Sequence, residues 1–190
     1  MNKLKLYMIL VGCRPPGRFT EQHDVFFGIG ESVTKMIPHI IRFWPEAKGK
    51  MHLDAFREVN IMDGYEIEVL ERSEQSGEEG NLKLFFINLG GYKKGEFDEF
   101  HYKMLIVAKS QSEAIAISKE TAFFRHTGFK GAPSHVDDKY GIDVDDIFQV
   151  QEILAPAFKE KYHLKISKKE GPEDELHLGF FPFKKIEDEF

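Results

Sequence analysis

The chain is 190 residues long, 42% hydrophobic, with a formal net charge of −6 and one cysteine. That length buries a core, as one domain or two fused lobes, without metal or disulfide staples. The acidic balance excludes nucleic acid as a partner, disfavours an anionic membrane surface, and the lone Cys13 allows no internal disulfide and points to the reducing cytoplasm.

The first predicted element is a strand over Lys5 to Gly12, apolar at consecutive positions and therefore covered on both faces. The N-terminal run MNKLKLYMILVG has the length of a signal-peptide core, but it leads into Cys13-Arg14-Pro15-Pro16 rather than a small-residue cleavage site. A Gly/Pro/Arg loop follows, closed by GRFTEQHD, residues 17–24. Val25 to Gly30 reads as a second strand forming a hairpin with the first. Val33, Met36, Ile37, Ile40, Ile41 and Trp44 then mark one apolar helix face, core including Trp44, with Pro38 predicting a kink or restart. Irregular chain leads to a strand around Ile61 to Glu71, and the polar segment Glu71 to Asn81 reads as an exposed connection.

The same order of parts then recurs. Lys83 to Gly90 is an apolar strand, GEFDEFHY closes its loop, and Tyr102 to Ala108 is the returning strand. Ser110 with Glu113 forms a capping box before a helix carrying Ala114, Ile117, Thr121 and Phe124. Ile147 to Leu154 reads as the last strand of this half. Tyr162 to Ser167 and Glu175 to Phe181 are predicted to pair as an added hairpin, and KKIEDEF is expected to be a frayed end.

An internal repeat accounts for this order. Gly12 and Gly90 stand 78 residues apart (90 − 12 = 78), and the same offset pairs Leu4 with Leu82, Ile9 with Ile87, Gly17 with Gly95, Phe19 with Phe97, Glu21 with Glu99 and His23 with His101. Further on the sequence suggests an offset of 83 (135 − 52 = 83), pairing His52 with His135, Asp54 with Asp137, Asp63 with Asp146 and Leu70 with Ile153. The expected fold is α+β: a duplicated β-β-α-β repeat with mainly antiparallel sheets and helices on the outer face. Ferredoxin-like halves or a related α/β sandwich would satisfy it. The expected boundaries are 1–75 for the first repeat, 79–155 for the second and 156–190 for a C-terminal extension with the hairpin.

Two stretches carry a family resemblance: KLYMILVGCRPPGRFTEQHDVFFGI with HLDAFREV and DGYEIEV, and LKLFFINLGGYKKGEFDEFHYKMLIVAKS with HVDDKYGIDVDDIF. Together they resemble the bacterial family known only as domain of unknown function 1543, some members of which carry two copies. The resemblance implies a tandem pair and a prokaryotic, cytoplasmic origin, and implies no reaction.

The chemistry lies in short pairs. Glu21 and His23, spaced i and i+2 on a strand, share one face, and Glu99 with His101 repeats the arrangement. His52 with Asp54 and His135 with Asp137 add a second pair in each half. Two imidazoles and two carboxylates brought together suit a divalent transition metal, zinc, manganese or iron(II), and an open position would make a hydrolase or oxygenase. The plainer alternative has the glutamate accepting loop N–H groups, the histidine bonded to a backbone carbonyl and the phenylalanine packed beneath the loop. HVDDKYGIDVDD fails as an EF-hand, because Gly141 at the sixth position puts Val136 at the first. The loop glycines with Arg14, Arg18, Lys93 and Lys94 lack phosphate-loop spacing, and Cys13 as a nucleophile has only Gly91 as its counterpart. The leading expectation is a small non-catalytic binding or assembly module, possible as a homo-oligomer, with an unidentified small-molecule or protein ligand. The metal-dependent enzyme is the alternative.

Overall fold

A computed structural model of the chain describes residues 3–74, 80–92, 95–126 and 142–190. In chain order these form β1 (Lys5–Cys13), β2 (Gln22–Gly30), a 3-10 turn (Val33–Met36), α1 (Ile37–Phe43), β3 (Met51–Glu58), β4 (Ile61–Met62) and β5 (Tyr65–Glu71). Then come β6 (Lys83–Tyr92), β7 (Glu99–Ala108), α2 (Gln111–His126), β8 (Ile142–Gln149), α3 (Val150–Ile153), α4 (Pro156–Lys159), β9 (Tyr162–Lys168), β10 (His177–Pro182) and α5 (Phe183–Glu189). The fold is α+β with antiparallel sheets. It divides into unit 1, Met1–Glu79 with Leu154–Phe190, and unit 2, Gly80–Ile153.

Unit 1 holds two antiparallel sheets, ordered β10-β3-β1-β2 and β4-β5-β9. β1 lies between β2 and β3, and its odd positions Tyr7, Ile9, Val11 and Cys13 are buried, whereas on the other face Leu6 is buried but Met8 and Leu10 only half-buried, so the apolar run is fully covered on one face and partly on the other. Burial of each such side chain contributes about 1.5–3 kcal/mol. β2 begins polar at Gln22-His23-Asp24 and turns apolar from Val25, so its exposed end and its buried end are both written in the sequence. Pro38 restarts the helix as expected. The 3-10 turn ends at Met36, and Pro38 falls in the first turn of α1, where its missing N–H breaks no helical bond. Val33, Met36, Ile37 and Ile40 are buried, but Ile41 is exposed and Trp44 only half-buried, because α1 ends at Phe43 and the chain turns through Pro45.

Several expectations are corrected. The segment before the last strand is not irregular: Met51–Glu58 is a strand paired to β1, and β5 belongs to the other sheet. The two strands expected to make a C-terminal hairpin do not pair with each other. β9 pairs with β5 and β10 with β3, since both sheets of unit 1 offered an open edge. The last residues are not frayed, for α5 anchors Ile186 at zero exposure and Thr34 donates to its carbonyl. Asp174 also clasps the turn before β4, accepting from the backbone N–H groups of Asn60 and Ile61 and from the Asn60 amide.

Unit 2 is one antiparallel sheet, β7-β6-β8, with α2 on one face. Ser110 Oγ accepts from Glu113 N at 3.2 Å, and the Glu113 carboxylate accepts from Lys109 N at 2.7 Å, a capping box displaced by one residue. Phe85, Ile87, Leu89, Met104, Ile106 and Ala114 make the core between sheet and helix. The expected strand over Ile147 to Leu154 is shifted: β8 spans Ile142–Gln149, and Val150 onward is a helical turn.

Candidate metal centre

One row of the unit-1 sheet runs through His23 on β2, Gly12 on β1 and His52 on β3. Residues directly opposite on neighbouring strands share a face, and Gly12 contributes no side chain, so the two imidazoles can lean toward each other over it. The helix occupies the other face. Gly28 pairs with Tyr7, and a Cβ on Gly28 would run into Met36 of the 3-10 turn, so odd positions of β1 face the helix and Gly12 faces away.

A bulge supplies the third group. Leu10 pairs with Ala55 and Val11 with Leu53, leaving Asp54 as the extra residue of β3. Bulges re-aim a side chain. Here the Asp54 carboxylate is turned over Gly12, where any Cβ would collide with its Oδ2 and stand 2.5 Å from His52 Nε2. Glu21, just before β2, is the fourth group. The loop leading to it turns at Gly17, whose φ of +80° is open to glycine and strained for other residues.

The four side chains meet. His23 Nε2 is 3.2 Å from Asp54 Oδ2 and 3.7 Å from Glu21 Oε2, while His52 Nε2 is 3.2 Å from Glu21 Oε1 and 3.3 Å from Asp54 Oδ1. His52 is only 9% exposed, yet its Nε2 has no hydrogen-bond partner, and neither has Asp54 Oδ2. The atoms are close but not aligned as donor and acceptor. Ligand atoms about 2.1 Å from a shared ion stand about 3.0–3.4 Å apart in octahedral or tetrahedral geometry, and three of the four contacts fall in that range, each imidazole reaching a different oxygen of each carboxylate. Two carboxylates and two neutral imidazoles also balance the charge of a divalent cation, and this nitrogen and oxygen donor set suits zinc, manganese or iron(II).

Unit 2 repeats the frame with other donors. Gly90 pairs with His101 on β7 and with Asp143 on β8, and the β6–β8 ladder leaves Asp145 as the bulge residue between Val144 and Asp146. A Cβ on Gly90 would collide with the Asp145 carboxylate. Single ligand atoms of Glu99, His101 and Asp145 lie within 4.8 Å of one another, with His101 Nε2 3.3 Å from Asp145 Oδ2 and 3.9 Å from Glu99 Oε2, and all three are exposed.

The sequence-predicted groups divide accordingly. Glu21, His23, His52 and Asp54 come together, as do Glu99 and His101. His135 and Asp137 lie outside the described residues. The ladder position of Asp54 is taken in unit 2 by Asp145, an offset of 91 (145 − 54 = 91) rather than 83. Sequence reasoning missed Asp145, and it paired Gly12 with Gly90 without reading the space they leave for a carboxylate. The available signal was HLDAF against DVDDI, in which an aspartate directly follows an apolar residue and a second apolar residue stands two positions on. The plainer alternative fails at the phenylalanines: Phe19 and Phe97 do not pack beneath their loops but are fully exposed. Cys13 is buried on the helix side, and burial, then the Glu21 charge, push its thiol up, so it is held as the unreactive thiol.

Residues 18–69 match the family described as Domain of Unknown Function (DUF1543). That span holds Glu21, His23, His52 and Asp54. The chain is also similar to the crystal structure of a protein Il1583 from Idiomarina loihiensis, at 24% identity, a TM-score of 0.60, and coverage of 95% of this chain and 98% of that one. This likeness shows the fold alone. No curated protein matches the chain. Among the described residues, no helix is long and apolar enough to cross a membrane.

Proposed function

We propose that this chain is a divalent transition-metal protein built from two copies of one β-β-α-β module, with its working centre at Glu21, His23, His52 and Asp54. The observation that carries this reading is the buried His52 Nε2, without a hydrogen-bond partner and 3.2 Å from the Glu21 carboxylate. A buried imidazole nitrogen left unbonded costs about 1–3 kcal/mol, and a bound cation removes that penalty. Duplication is supported by the recurrence of glycine, histidine and bulge carboxylate at the same ladder positions. The net charge of −6 argues against a nucleic-acid partner, and the single buried cysteine suits the cytoplasm.

The module is read first as a binding module, with the metal as its ligand. One observation favours the metal-dependent hydrolase or oxygenase: the His23 and Glu21 side chains are 39% and 46% exposed, so an ion held there keeps a side open to water or substrate. Metal-stripped protein titrated with zinc, manganese and iron(II), followed by calorimetry and elemental analysis, tests the site. One tight equivalent of metal, lost in His52→Ala, is expected. Wild-type protein that takes up none of the three overturns the proposal.

A further inference from the structure

We infer that the unit-1 centre takes an organic molecule with a chelating oxygen head and an apolar body, the head on the metal and the body on Phe180 and Leu178. This rests on the metal reading above. Phe180 carries the argument: its ring centroid is 4.4 Å from that of His52, yet the residue is 62% exposed. One side of the ring covers a metal ligand and the rest stands in solvent.

The backbone is bent to put it there. β10 pairs Leu178 with Ala55 and Phe181 with Leu53, so Gly179 and Phe180 together face the single residue Asp54. Gly179 has φ of +139°, a backbone that side chains rarely adopt, and this second bulge sets Phe180 opposite Asp54, while alternation from Leu178 keeps the ring on the face of His52. Two bulges therefore converge on one place, one delivering the carboxylate and the other the ring.

The neighbouring row extends the apolar surface. Leu10, Ala55 and Leu178 share the face of Gly12 and His52, Leu10 and Ala55 half-buried and Leu178 68% exposed. A few convergent polar groups beside an apolar wall are what a small organic ligand requires. A neutral metal centre adds no charge selection of its own, so the body of the ligand contributes the discrimination. Unit 2 has no strand outside β8 among the described residues, and no counterpart of Phe180.

The test compares benzohydroxamate with acetohydroxamate, which share one two-oxygen head and differ in the apolar body. On zinc-loaded protein, benzohydroxamate is expected to bind about tenfold more tightly, the effect of covering a phenyl ring. Phe180→Ala and Leu178→Ser, both at exposed positions, should shrink that ratio, read at saturating zinc so that both probes meet the same metal occupancy. Equal binding of the two probes to wild type, or a ratio that survives both substitutions, overturns the inference. So does self-association that Phe180→Ala abolishes with no probe preference, since a second copy then covers the strip. Zinc titration of the same sample separates the two readings: zinc bound without a probe preference sinks only the platform, and no zinc uptake sinks both.

Discussion

Unit 1 and unit 2 place a glycine, a histidine and a bulge aspartate at the same ladder positions, yet they differ in what completes the row. In unit 1 the strand beyond the glycine brings His52, which is buried; in unit 2 the same position is Asp143. The backbone device is thus separable from the donor set. A glycine beneath a bulge creates space for a carboxylate, and the next residue along the row decides whether a second imidazole joins it. Burial follows the same division, for Glu99, His101 and Asp145 are exposed while His52 Nε2 is buried without a hydrogen-bond partner. The unbonded buried nitrogen on which the metal proposal rests is therefore a feature of unit 1.

The strongest way to break this comparison is to fill the space under the carboxylates. Gly12→Ala should weaken zinc binding by on the order of 100-fold or more, because loss of ligand geometry exceeds what supporting groups contribute. Its effect on stability should be only about 1 kcal/mol, since the new Cβ meets side-chain ends rather than backbone. Gly90→Ala, with the same collision in unit 2, should leave the tight equivalent intact. Calorimetry and urea denaturation on the two variants check both statements, and equal loss of affinity in each would dissolve the distinction between the units.

The comparison is sharpened by exchanging the donor that differs. Asp143→His gives unit 2 the residue type found at the matching position of unit 1, and a second equivalent of zinc should then bind about tenfold more tightly than in the parent, as imidazole replaces a carboxylate. Titration to two equivalents reads the change. An unchanged second equivalent would mean that the row position does not set the donor.

A smaller effect separates the two helices. His39 on α1 packs against Phe158 with centroids 4.5 Å apart, and burial, then Arg42, lower its pKa from 6.5. The folded state then holds this proton less tightly than the unfolded state, so the stabilisation is fully present above pH 6.5 and is lost as pH falls below it. His39→Leu should flatten that part of the stability profile measured by urea denaturation between pH 7 and roughly pH 5. A slope identical to wild type would remove His39 as its source.

The smallest effect concerns the motif phenylalanines. Phe19→Ser and Phe97→Ser should each change stability by less than about 0.5 kcal/mol, because neither ring is packed. A loss above 2 kcal/mol in either would restore the ring as a support for its loop.

Much of the candidate site was legible in the sequence because it is local. Glu-x-His at a strand entrance puts two donors on one face wherever the chain is extended, and the 78-residue offset, which pairs Gly12 with Gly90, marks the first hairpin of each unit before any contact is known. The second half of each site was harder to read. His52 and Asp54 are legible as a His-x-Asp pair, but the segment that carries them reads as irregular chain because the bulge at Asp54 disrupts its alternation. The matching Asp145 was masked by the more conspicuous His135-Val136-Asp137. β10 reads as half of a hairpin, since sequence proximity favours pairing with β9 and no local pattern announces an open sheet edge.

The sequence by itself determined the α+β class, the two apolar strand pairs, the helix restart at Pro38, and six of the side chains that gather into the two clusters. These follow from periodicity, proline geometry and spacing along one strand, which are properties of neighbouring residues. The tertiary structure alone decided that β3 and β8 lie beside the glycine strands, that a bulge turns Asp54 and Asp145 over Gly12 and Gly90, and that Phe180 covers His52. Those depend on register between segments far apart in the chain, and register is set by which apolar faces can be buried together.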